Sequence, residues 1–134
     1  QCNKLQVLEM SEENGFSWSV KADLPQQRAG AECFVSEGKL VLMGGCFAHG
    51  PTSSVSMYDP ASDSWAAGPE LPRAAPECFA VAHEGEVRLL VPRYHRWQQA
   101  PPLAYRNGAW VGAEAWLGDH HTFSFPTVQA IRLG

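Results

Sequence analysis

Two arginines, Arg28 and Arg73, stand 45 residues apart, and each precedes the same triplet: Glu32-Cys33-Phe34 after the first, Glu77-Cys78-Phe79 after the second. A guanidinium fork grips a carboxylate through two parallel hydrogen bonds, so arginines at matched positions suit recognition of acidic groups. The local alternative is that each caps a turn or pairs with Glu32 or Glu77. Phe47 and His49 lie in the turn-rich stretch Cys46-Phe47-Ala48-His49-Gly50-Pro51-Thr52-Ser53. A loop of this kind projects from its scaffold and can carry recognition; the alternative is that Phe47 folds back on its own strands.

Other reactive-looking groups carry less. Arg88, Arg93, His95 and Arg96 form the one basic concentration, interleaved with Tyr94 and Trp97. Aromatics beside arginine can stack on bases or bind acidic peptides, although a solvated strand and loop is the commoner explanation. A net charge of −4 leaves no basic stripe for a nucleic-acid binder. Asp119-His120-His121 suggests a metal, but zinc needs three or four converging ligands, and no further His or Cys pair supports them. No metal and no cofactor are expected. Cys46 has no neighbour that would lower its thiol pKa. Nucleophile-elbow, phosphate-loop and H-E-x-x-H patterns are absent, so the expectation is a non-enzyme.

The elements that position these residues repeat. Trp18 and Leu24-Pro25 recur as Trp65 and Leu71-Pro72, offset by 47, as do Gly38 with Gly85 and Tyr58 with Tyr105. Arg28 and the Glu-Cys-Phe triplet recur at 45, which puts a two-residue slip after the prolines. Several matches in order at one period mark a repeat architecture. Within each period, short runs rich in Val, Leu, Phe and Tyr alternate with Gly, Pro, Asn, Asp and Ser, which reads as strands and turns. No segment has a capped 3.6-residue apolar period.

A half unit is expected over residues 5–25, with strands Leu5–Met10 and Phe16–Val20 around Glu13-Asn14-Gly15. A full four-stranded unit spans 26–72, with strands near Ala31–Ser36, Lys39–Met43, Val55–Tyr58 and Ser64–Ala67. A degenerate unit fills 73–118, where Val91-Pro92-Arg93 replaces the Gly44-Gly45 doublet, and 119–134 opens a further unit or is a tail. Gly44-Gly45 suits a sharp turn with a close neighbour. Trp18 and Trp65 should wedge at corresponding depths between sheets, and Tyr58 should pack there with its hydroxyl on a polar partner.

At 134 residues, 45% hydrophobic and 18% charged, the chain has the composition of an ordinary globular domain. No apolar run is long enough to span a bilayer. Four separated cysteines without C-x-x-C are not a disulfide framework. Cys33 and Cys78, at matched repeat positions, read as small buried hydrophobes. These features point to an intracellular, cytoplasmic setting, or an organelle if a targeting segment was removed. A start at Gln1 rather than Met fits a processed or partial product.

Taken together, Arg28-Ala29-Gly30, the strand into Gly44-Gly45, Tyr58-Asp59, and Trp65 with Leu71-Pro72 resemble the kelch-repeat family over residues 27–72. The resemblance implies an all-β fold: a partial kelch-type β-propeller of about two to three four-stranded antiparallel blades. It implies a protein-interaction or scaffold module, with Arg28 and Arg73 at one propeller mouth facing an acidic segment of a protein partner. Two alternatives remain: a structural subunit of a larger complex, and part of a sugar-processing propeller. An open arc leaves blade faces and strand edges uncovered.

Overall fold

The structure, a computed structural model, describes residues 3–83, 86–90 and 102–112. All twelve elements there are strands. β1 (Leu5–Ser11) and β2 (Gly15–Lys21) form a hairpin, followed by β3 (Glu32–Ser36) and β4 (Lys39–Met43). A small hairpin of β5 (Cys46–Phe47) and β6 (Gly50–Pro51) interrupts the unit before β7 (Val55–Asp59) and β8 (Ser64–Ala67). β9 (Phe79–His83), β10 (Glu86–Leu90), β11 (Leu103–Arg106) and β12 (Ala109–Gly112) complete the series. β3-β4-β7-β8 and β9-β10-β11-β12 are antiparallel four-stranded sheets, each with its strands in chain order. No helix in the described residues is long and apolar enough to cross a membrane.

The expected strands therefore form as blades, and β5–β6 is the element that the sequence did not announce. Glu84-Gly85, Val91-Pro92-Arg93, the basic residues His95 and Arg96 with Tyr94 and Trp97, and everything from position 113 onward, including Asp119-His120-His121, lie outside the described residues, as does Cys2. Local turn chemistry matches its residues. Glu37-Gly38 and Asn107-Gly108 both turn with positive φ at the two central positions (51° and 73°, 50° and 74°). That is the primed two-residue turn, whose twist suits paired strands.

Two seams join three blades. Between the second and third, Phe34, Val41, Met43, Val55, Leu71, Cys78 and Leu89 form one buried cluster. Its inner end is where β3 lies beside β9. Its outer end is aromatic: Phe34 meets the edges of Tyr105 and Trp110 at centroid distances of 5.5 and 6.1 Å. The linker after β8 is stitched down by Leu71 N–H to the Ser53 carbonyl and Ala75 N–H to the Thr52 carbonyl. Ala75 then lies against Gly44-Gly45, and Gly45 N–H donates to its carbonyl at 2.7 Å. The first seam leaves an apolar groove of about 230 Å³ lined by Leu5, Val7, Val35, Leu40 and Tyr58.

The repeat register differs from the sequence alignment in two places. Ser36 pairs Lys39 and His83 pairs Glu86, so the inner hairpins correspond at an offset of 47. Cys33 therefore matches Ala80, not Cys78, and Phe34 matches Val81, not Phe79. Burial follows the structure: Phe34 is inside the seam, while Phe79 is 44% exposed. Cys78 is buried ahead of β9, as expected for a small hydrophobe, whereas Cys33 is only half-buried. The second difference is in the outer hairpin. Four residues separate Asp59 from Ser64, but only two separate Arg106 from Ala109. This shortens the Trp65-to-Trp110 spacing to 45.

Trp18 is also a correction. It does not share the depth of Trp65, because no described blade precedes β1–β2, and it is 69% exposed.

Gly44 and Gly45 have φ of 64° and 82°, and a Cβ on Gly44 would stand 2.5 Å from the Ala75 carbonyl oxygen. Gly44→Ala is expected to cost about 3 kcal/mol through backbone strain and overlap, a fall in melting temperature of about 10 °C. Thermal unfolding followed by circular dichroism measures it, with exposed Gly15→Ala as a milder comparison.

Candidate partner-binding surface

Arg28 approaches β4 from the strand-like bridge at Ala29, which pairs with Cys46. Its side chain is half-buried and turned into the blade. Nη1 donates to the Gly44 carbonyl at 3.3 Å and the Ser54 carbonyl at 3.0 Å. Nη2 donates to Ser56 Oγ at 3.0 Å. Its guanidinium carbon lies 4.9 Å from the centre of the Phe47 ring, within cation–π range. Burial lowers its pKa somewhat, but a guanidinium stays charged at any ordinary pH.

This revises the expectation that Arg28 reaches out to a partner. The Ser54 carbonyl before β7 already accepts the Gly44 N–H at 3.1 Å, and a buried carbonyl such as that of Gly44 at the end of β4 is costly without a donor. Arg28 gives the Gly44 carbonyl its donor and the Ser54 carbonyl a second one. Nor does it pair with Glu32, whose carboxyl instead accepts the Cys33 and Ala80 backbone N–H groups; burial nevertheless raises its pKa.

The structure does bring Arg28, Phe47 and His49 together. Phe47 closes β5 against Arg28, and His49 sits in the two-residue tip with its ring 5.7 Å from Phe47. Phe47 is half-buried and His49 exposed. The tip is thus a short pile: a fixed cation, an aromatic ring on it, and an imidazole presented to water. Arg73 is not part of this pile. It lies half-buried in the linker toward the third blade, three residues after Glu70, whose carboxylate accepts from Ser53 Oγ at 3.4 Å.

The structural residues resolve into a repeated device. Tyr58 and Trp65 are a cross-strand pair with centroids 5.2 Å apart, and Tyr105 and Trp110 repeat it at 5.1 Å. In each case the indole N–H crosses to the preceding blade's exit. Trp65 Nε1 donates to the Ala22 carbonyl at 2.9 Å, and Trp110 Nε1 to the Pro69 carbonyl at 3.0 Å. Ala22 also has an N–H to satisfy, and Asp63 Oδ1 accepts it at 2.8 Å while accepting Tyr58 OH at 2.8 Å. Asp63 reaches this place from φ 46°, a left-handed conformation that Asp tolerates.

Asp63 escaped the sequence reading. The usable signal was an Asp two residues before the repeat Trp, at the end of a turn where Asp accepts positive φ. Its pKa is held below the usual carboxylate range by the Ala22 N–H and then by the Tyr58 hydroxyl. The Tyr58 phenol is pushed up to about 12 by desolvation and by its bond to Asp63. Cys78 is pushed to about 11, chiefly by burial. Among the described residues, no group of three or more His, Cys, Asp and Glu could hold a metal.

Two measurements follow from this seam. Ultraviolet titration should show one phenol ionising near pH 12, and Tyr58→Phe should remove that step. Trp65→Phe keeps most of the ring but loses the bond to Ala22, and should cost about 1 kcal/mol. Trp18→Phe, at an exposed site, should cost close to nothing.

Comparison with known proteins agrees with this geometry. Residues 27–72 match the family described as "Kelch motif". A solved structure titled "Structure of YjhT" superposes with a TM-score of 0.67 at 14% identity, covering 83% of this chain and 45% of that one. The likeness at that identity concerns the fold, and this chain spans less than half the length of the structure it matches. Residues 27–72 are a kelch repeat, and the chain is built of kelch-type blades as part of a β-propeller.

Proposed function

We propose that this chain is a non-catalytic interaction module that binds a protein partner through the β5–β6 tip. Phe47 and His49 are the contact residues, and Arg28 is the strut beneath them. The observation that carries this reading is the Arg28–Phe47–His49 pile. A recognition loop loses affinity when binding must first order it. Here the guanidinium is fixed by three hydrogen bonds, and the ring above it is fixed in turn. Aromatic anchors held in this way are common hot spots. Arg73, on the next linker, supplies a second cation for an acidic segment of the same partner.

The test is affinity capture from cell extract, quantified by mass spectrometry, with the native chain beside Phe47→Ala/His49→Ala. A partner enriched on the native chain should fall at least about tenfold on the double variant, while circular dichroism stays unchanged. Arg73→Ala should reduce recovery more weakly and mainly at low salt. Equal recovery on native and double-variant chains rejects the tip as the binding site.

A further inference from the structure

Among the described residues the first blade has two strands where the second and third have four. β1 and β2 hold the places of β7 and β8: Leu8 faces Trp18 across the hairpin as Tyr58 faces Trp65 and Tyr105 faces Trp110. By the same register Val7 stands where Met57 does, and Leu5 where Val55 does. In the four-stranded blades β4 lies along the other edge of β7, and β10 along that of β11. No described strand pairs with that edge of β1. An unpaired edge is a template for another strand.

Two observations say which strand this edge suits. The first is the groove of about 230 Å³ in the first seam, with Leu5 and Val7 on one wall and Val35, Leu40 and Tyr58 on the other. In the second seam the corresponding space is filled from β4. Val41 and Met43 stand opposite Met57 and Val55 and are fully buried there. The groove therefore suits apolar side chains at two alternate positions of an extended chain.

The second is charge. One step beyond these pairs, both four-stranded blades close the same corner with an ion pair. Lys39 meets Asp59 at 3.6 Å beside the pair Leu40–Tyr58, and Glu86 meets Arg106 beside Val87–Tyr105. Glu9 holds that corner in the first blade, exposed and without an ion pair among the described residues. A like charge opposite it would be unfavourable, and a cation favourable.

We infer that β1 takes a strand in trans: an extended segment of another protein, antiparallel to β1, with Lys or Arg opposite Glu9 and bulky apolar side chains opposite Val7 and Leu5. Main-chain hydrogen bonds supply the affinity, and the groove and Glu9 set the register. The positions between, opposite Leu8 and Gln6, come out on the exposed face and accept polar residues. β4 has this pattern, as Lys39-Leu40-Val41-Leu42-Met43, but it is held on both edges by β3 and β7. The site belongs to the first blade and the β5–β6 tip to the second, so the two readings stand or fall separately.

Fluorescence anisotropy of a labelled synthetic peptide copying residues 38–44, titrated with the 134-residue chain, tests it. Binding should saturate. Val7→Asp puts a charge in the groove and should weaken binding at least about tenfold. Glu9→Lys should weaken it about threefold, and a peptide carrying Lys39→Glu should reverse that preference. Methylating alternate backbone amides of the peptide should abolish binding for one set and spare it for the other, because one set faces β1. Phe47→Ala/His49→Ala should leave the affinity unchanged, and circular dichroism should stay the same in every variant. Absence of saturable binding overturns the proposal, whether the chain is then a monomer or a dimer whose second copy holds the edge. So does binding that neither methylated set disturbs, or that Val7→Asp leaves at native strength. Equal binding of both peptides to the Glu9→Lys chain also overturns it.

Discussion

The whole arrangement depends on how closely one blade's exit can lie against the end of its own second strand. Gly45 N–H reaches the Ala75 carbonyl at 2.7 Å, and neither Gly44 nor Gly45 has room for a Cβ. This approach brings Cys78 and Leu71 into the cluster with Met43 and Val55. It also fixes where the third blade begins, and so where Phe34 finds Tyr105 and Trp110. A larger residue in the doublet would lift the linker from the sheet, and the seam beyond it would open by the same distance. Packed interiors transmit such shifts because they contain little slack.

Arg28 belongs to this constraint as well. The close approach leaves the Gly44 and Ser54 carbonyls pointing into a crowded space, and the guanidinium takes both. Its remaining flat face supports Phe47. One side chain thus completes the strand ends and props the loop that projects from them. At this position a residue expected to reach a partner instead joins the strand ends to the β5–β6 hairpin.

Much of this was legible beforehand, and the exceptions have physical causes. The strands could be read because turn residues bound them so sharply; Glu37-Gly38 and Asn107-Gly108 leave little choice of hairpin. The Tyr–Trp pairs followed from the period. The pairing of Cys33 with Cys78 misled because identical triplets were matched letter by letter, whereas the hairpin register counts from the turn. A two-residue slip preserves the face of every side chain, so nothing in the alternation gave warning. Asp63 was obscure because its role requires knowing that Ala22, 41 residues earlier, arrives with an unpaired N–H. The depth of Trp18 was misjudged because a repeat position specifies what a residue can touch, not whether a neighbour is there. The inward turn of Arg28 depended on carbonyls that only the folded chain brings together.

The two seams spend different chemistry on the same task, and acid should tell them apart. At the first, Asp63 accepts both the Ala22 N–H and the Tyr58 hydroxyl. Its depressed pKa means that this stabilisation is complete above the ordinary carboxylate range near 4 and drains away as pH falls through the lowered value. At the second, the residue matching Ala22 is Pro69, which has no N–H to satisfy, and an uncharged indole-to-carbonyl bond serves alone. At its outer end the joint nearest the N-terminus therefore answers to acid through Asp63, while the second has no carboxylate at the matching place and carries its titrating group, Glu32, at the inner end, where its carboxyl accepts the Ala80 N–H. One proline has relieved the following blade of both the carboxylate and the longer turn needed to deliver it.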